Sequence, residues 1–240
     1  MSEARRRVVA VCLAGALAAG LLCGSAPAAR AQQPEVQKPQ PTVPEIFTLM
    51  GQYVRVAYNN QGYVSLGYRM TQLNVGEEWA MLEVGLTLRE GTPNMTIKRE
   101  DFKVKLPDGS TVPLATQQEY AKAGYLRALN ERSKIVRDSI DYFPASASRA
   151  NALHFFANLG QGGSQIAYDQ MELSSSRASV GRLYFKVPGG IKVGQHWLFV
   201  NFNGSEVQVP FRILTKEEQK QLEDSWEDLK KAHEESYKQK

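Results

Sequence analysis

Short runs of alternating apolar and polar residues recur through this chain, and that period of two constrains its fold more than any other feature. Side chains on a β-strand point to opposite faces in turn, so an alternating run buries one face and leaves the other free. Val54, Val56 and Tyr58 share one face, and Val64, Leu66, Tyr68 and Met70 share the next, with Asn59-Asn60-Gln61-Gly62 between them as a turn. Ala80, Leu82, Val84, Leu86 and Leu88 alternate without interruption. Phe102, Val104 and Leu106 alternate with Lys103 and Lys105, then stop at Pro107-Asp108-Gly109-Ser110. Leu183, Phe185 and Val187 run into Pro188-Gly189-Gly190. Leu198, Val200 and Phe202 lead into Asn203-Gly204, and Val207, Val209, Phe211 and Ile213 lead out. Asn-Gly between alternating runs is a strong short hairpin signal, because both residues accept positive φ. About eight or nine short strands, with turns about every ten residues, predict a mainly β, antiparallel sandwich. Weaker strand patterns surround His154–Phe156 and Ile166–Leu173. The Gly160-Gln161-Gly162-Gly163 stretch between them reads as a loop, without the lysine of a phosphate-binding loop.

Two stretches follow a helical period instead. Thr116-Gln117-Gln118-Glu119 has the form of a capping box. Tyr125, Leu129, Val136, Ile140 and Phe143 then fall on one helical face until Pro144, which predicts a helical insertion over about 116–143. Thr215-Lys216-Glu217-Glu218 has the same form and opens a charged helix over 215–240, with Leu222, Trp226 and Leu229 as its narrow apolar stripe.

The ends set the compartment. Arg5-Arg6-Arg7, an apolar run from Val8 to Cys23 and Ala29-Arg30-Ala31 read as a cleavable signal peptide over 1–31. The apolar run is shorter than the ~20 residues that a bilayer span needs. Cys23 follows Leu21-Leu22 rather than the small residue of a lipoprotein signal. Gln32 to Pro44 carries four prolines and reads as an extended linker, with the β domain over 45–214. Cleavage would remove both cysteines and leave 25 Lys+Arg against 24 Asp+Glu. The whole-chain pI of about 9.0 is therefore no argument for nucleic acid. A periplasmic or secreted protein without disulfides or a membrane span after cleavage is the expectation.

A strand ending in an Asp-Gly turn, Asp101-Phe102-Lys103-Val104-Lys105-Leu106-Pro107-Asp108-Gly109, precedes a late strand, Gly181-Arg182-Leu183-Tyr184-Phe185-Lys186-Val187-Pro188. This pair resembles exported bacterial immunoglobulin-like β-sandwich domains of uncharacterised function, over roughly 63–214. The resemblance implies an extracytoplasmic adhesion, assembly or ligand-binding module, and it brings no catalytic residues. The helical insertion departs from the plain sandwich of that family.

Chemistry-bearing patterns are sparse. The three histidines, His154, His196 and His233, are far apart, and no metal-ligand spacing, Gly-x-Ser-x-Gly elbow or calcium-loop pattern occurs. Neither a cofactor nor a metal is expected, and the chain reads as a non-enzyme. Glu77-Glu78, Asp138 and Asp141 read as solvated surface. Four aromatics, Trp79, Tyr184, Trp197 and Phe199, fall opposite the core alternation and form the candidate ligand-binding set. Either they stack on a glycan, or the inserted helix covers them. Leu222, Trp226 and Leu229 form the candidate partner-binding set, as an amphipathic helix in a partner's groove. The leading expectation is a non-enzymatic binding or assembly module of the bacterial envelope with a protein partner. A carbohydrate-binding module is the first alternative, and a hydrolase with a site built from distant residues around His154 or His196 is the second.

Overall fold

The computed structural model describes residues 52–136, 138–157 and 166–238, without the side chains of 229, 230, 232–234 and 236–238. The expected signal peptide over 1–31, the linker over 32–44, the Gly160–Gly163 loop and the side chains of Leu229 and His233 lie outside that description.

The described chain is mainly β. In order, the strands are β1 (Val54–Tyr58), β2 (Gly62–Gly67), β3 (Trp79–Leu88), β4 (Met95–Lys98), β5 (Phe102–Lys105) and β6 (Thr111–Pro113). They continue as β7 (Arg149–Ala152), β8 (Gln170–Leu173), β9 (Arg177–Lys186), β10 (Gly194–Phe202) and β11 (Ser205–Ile213). The helices are α1 (Arg69–Leu73), α2 (Gln117–Lys122), α3 (Tyr125–Ile135) and α4 (Lys216–Lys238). One sheet has the order β1-β2-β3-β9-β7, a second β11-β10-β5-β6, and β4 pairs with β8 in a small ribbon. Pairing is antiparallel except between β7 and β9, which run parallel.

Alternation explains the core. Val64, Leu66, Leu82, Val84, Leu86, Leu183 and Phe185 of the five-stranded sheet join one buried cluster with Phe102, Val104, Leu198, Val200, Phe202, Val207, Val209 and Phe211 of the four-stranded sheet. The rings of Tyr68 and Phe211 lie 5.3 Å apart across it. Each such large apolar side chain contributes about 1.5–3 kcal/mol on burial.

The turns follow their residue chemistry. Asn203 and Gly204 both have positive φ, 50° and 91°, as the tight β10–β11 hairpin requires. In the β1–β2 turn the Asn59 side-chain oxygen accepts from the backbone N–H groups of Gln61 and Gly62, each at 2.8 Å. Its amide donates to Ser205 Oγ at 2.8 Å, which ties this hairpin to β11. Asn59 is buried, and these bonds offset the cost of removing its amide from water.

The strand expected to run through Met70 stops at Gly67, and Arg69–Leu73 form α1 instead. Non-local bonds decide this. Tyr68 N–H donates to the Tyr53 carbonyl at 2.9 Å, and Thr71 Oγ1 donates to the Met81 carbonyl at 2.7 Å. The first extends the β1–β2 ladder by one rung, and the second fastens α1 to β3. No helix among the described residues is long and apolar enough to cross a membrane.

Candidate functional site

The outer faces of the two main sheets have different fates. All ten residues of β3 are buried, so its second face is covered as completely as its first. Among the described residues, the cover on this sheet comes from α2, α3, Phe143 and Phe156. Thr116 caps α2, accepting from Glu119 N–H at 3.1 Å, while the Glu119 carboxylate accepts from Thr116 N–H at 2.9 Å. The bond from the Thr116 N–H, joined by one from the Thr116 hydroxyl at 2.9 Å, holds the Glu119 carboxyl below its usual pKa. Tyr120 of α2 and Leu126 and Leu129 of α3 are buried.

A polar link fastens this cover. The Tyr184 hydroxyl, from β9, donates to Asn130 Oδ1, and the Asn130 amide donates to the Tyr120 hydroxyl at 3.0 Å. The Tyr184 ring packs 4.7 Å from Tyr120 and 5.0 Å from Phe156. Burial raises the Tyr184 phenol far above its ordinary pKa.

The helical face expected to reach Phe143 is broken. Regular helix ends at Ile135, and Ile140 and Phe143 belong to an irregular segment. That segment lies over glycines: a Cβ added to Gly85 would meet the Phe143 ring at 2.3 Å. Asp138 is drawn to Arg69, whose guanidinium donates to it from Nε at 3.1 Å and from Nη2 at 2.8 Å. A continued helix would forgo both contacts. Arg99 fastens the far end, donating to the carbonyls of Ala115 and Phe155 and pairing with Asp169 at 2.8 Å. Neither Asn130 nor Arg99 stands out in the sequence, because their partners lie far along the chain.

The four candidate aromatics therefore do not form one row. Trp79 and Tyr184 belong to the five-stranded sheet and are only 7% and 2% exposed. Trp197 and Phe199 lie on β10 of the other sheet, half-buried, where β10 alternates between buried and partly exposed positions. Strand register sets their neighbours. Thr111, Lys105, Trp197 and Pro210 form one row across β6, β5, β10 and β11, and Pro113, Lys103, Phe199 and Gln208 form the next. Lys103 Nζ lies 5.0 Å over the Phe199 ring and 3.0 Å from a Glu206 carboxylate oxygen. Residues two apart on one strand are about 7 Å apart, so the two rings offer adjacent contact positions.

The other nominated residues are placed elsewhere. His196 is buried against the Phe211 ring at 5.2 Å, with Nδ1 3.0 Å from the Gly194 carbonyl, and burial lowers its pKa. His154 is half-buried beside Tyr168, 6.4 Å between rings. Glu77 and Glu78 are exposed. Among the described residues, no group of three or more His, Cys, Asp or Glu side chains converges as a metal site would require. A cleft of about 680 Å³ opens beside β6, lined by Val112, Leu114, Glu119 and Lys186 among others. In the C-terminal helix, Thr215 caps the first turn through Glu218 N–H at 3.1 Å. Leu222 is half-buried, and Trp226 is 9% exposed. No protein-family model, curated protein or solved structure matches this chain.

Proposed function

We propose that this chain is a non-enzymatic, extracytoplasmic binding module on an immunoglobulin-like sandwich, and that it holds its ligand against the outer face of the four-stranded sheet. One observation carries the reading: Trp197 and Phe199 stay partly exposed on adjacent same-face positions, while the equivalent aromatics of the other sheet are sealed. Aromatic rings combine a large apolar contact with little rotamer entropy, and rings on an open sheet face suit stacking on the C–H face of a sugar. The leader pattern over 1–31 supports the compartment, and the shared core of the two sheets supports the sandwich. In a screen of immobilised oligosaccharides, the purified chain binds at least one class. Trp197→Ala and Phe199→Ala each remove that binding while leaving far-UV circular dichroism unchanged. Binding that survives both substitutions overturns the assignment of the face.

A second reading, assembly through protein contacts, is favoured by the same half-exposed aromatics flanked by charge, the composition of an interface anchor. In that case crosslinking recovers a defined partner, and Trp197→Ala abolishes recovery. Trp226 is a poor anchor for such a partner, since 9% exposure leaves little of the indole to present.

A further inference from the structure

The charges on the open face distinguish one kind of ligand from others. Most of its cations are already engaged. Lys103 pairs with Glu206 at 3.0 Å, Arg212 with Glu218 at 2.6 Å, and Lys192, close by, with Asp108 at 3.5 Å. Lys105 is exposed, sits directly across from Trp197, and meets no acid among the described residues. Directly opposed antiparallel neighbours have Cβ atoms about 4.5–5.5 Å apart, so the Lys105 ammonium reaches a ligand lying on the Trp197 ring. Three side-chain amides of the face are also engaged. The Asn201 amide donates to Asp101, the Gln208 amide to Glu206, and the Gln195 amide to the carbonyls of His196 and Phe211.

Resting on the binding reading above, we infer that the ligand is an anionic glycan: one pyranose ring stacks on Trp197, and the acidic group on or beside that ring pairs with Lys105. An open sheet face with two aromatic positions suits a sugar chain better than a peptide, which takes either a groove or a sheet edge. The two edges of this sheet also oppose strand addition, because β6 carries Pro113 and β11 carries Pro210. Lys105 confers selection for charge, and Trp197 supplies the contact area. Because the pair is exposed, its contribution is modest and screened by salt.

Titration calorimetry at low ionic strength tests this. The probes are acidic oligosaccharides built on galacturonate, glucuronate and mannuronate, each beside its carboxyl-reduced counterpart, which keeps the rings and loses the charge. The purified chain binds at least one acidic oligomer about fivefold or more tightly than its reduced partner. Lys105→Gln brings the acidic oligomer down to the neutral level without disturbing neutral binding, and Trp197→Ala removes both. Equal affinity within every pair overturns the anionic assignment but leaves the open face as a glycan site. Binding to no oligomer, or binding indifferent to Trp197→Ala, overturns both readings together. Trp197-dependent binding of poly-glutamate in place of every glycan assigns the face to an acidic protein and overturns the inference. Because Lys105 is exposed, Lys105→Gln keeps the wild-type melting temperature, and the comparison does not depend on a damaged fold.

Discussion

Two sheet faces in this molecule start from the same sequence pattern and end differently. Trp79 and Tyr184 on the five-stranded sheet, and Trp197 and Phe199 on the four-stranded sheet, all occupy positions opposite the core alternation. Both members of the first pair are buried, and Tyr184 packs against Tyr120 of α2 and Phe156 and is bonded through Asn130 of α3 to Tyr120. The second pair stays partly exposed on β10. A large aromatic outside the main core is thus a structural residue or a contact residue according to what the rest of the chain lays over it. Alternation reports which residues share a face, and leaves open whether that face meets water.

The difference is measurable, most strongly in stability. Tyr184→Ala removes a ring packed between Tyr120 and Phe156 and should cost about 3–5 kcal/mol in urea unfolding. Phe199→Ala, half-exposed, should cost well under half of that. Equal costs would mean that the two faces are equally buried in solution. Asn130→Ala comes next. It deprives the buried Tyr184 hydroxyl of its acceptor, with an expected loss of about 1–3 kcal/mol.

A smaller effect concerns pH. Burial against Phe211 lowers the His196 pKa below its ordinary 6.5, with the Gly194 carbonyl and Asp108 opposing that shift. Below pH 6.5 the unfolded chain binds a proton that the folded chain refuses. The stability associated with His196 is therefore complete above pH 6.5 and is lost as pH falls through the folded value. His196→Gln should flatten that slope in a series of melts between neutral and mildly acidic pH. The smallest stability change is expected for Trp197→Phe, within about 0.5 kcal/mol. This variant should nevertheless lose most of the iodide-quenchable tryptophan emission, because Trp79 and Trp226 are only 7% and 9% exposed.

Much of the architecture was legible where the signal is local. The long alternating runs became β3, β9, β10 and β11, and Asn203-Gly204 became a hairpin turn with positive φ at both residues. The capping pattern at Thr116 became a real helix start, because its bonds span three residues. Local reading failed where distant partners take over. The pattern at Tyr68 and Met70 gave way to α1, which is fastened to β3 by the bond from Thr71 to Met81, and the stripe beyond Ile135 left the helix to place Ile140 and Phe143 over glycines of the sheet. The short strands β4, β6 and β7 carry too few alternating positions to announce themselves. In the candidate site, Trp197 and Phe199 were visible as aromatics off the core face. Their neighbours across the sheet were not, since the Lys105–Trp197–Pro210 row exists only once β5, β10 and β11 pair in register.

By itself the amino-acid order determined that this chain makes strands, where several of them turn, and which side chains share each face. Those properties follow from backbone geometry over a few residues. Tertiary structure alone decided which face the insertion seals, that Asp138 answers Arg69, and that Lys105 stands beside an accessible indole. Those outcomes depend on contacts between residues tens of positions apart, whose energies exist only after the sheets have formed and packed.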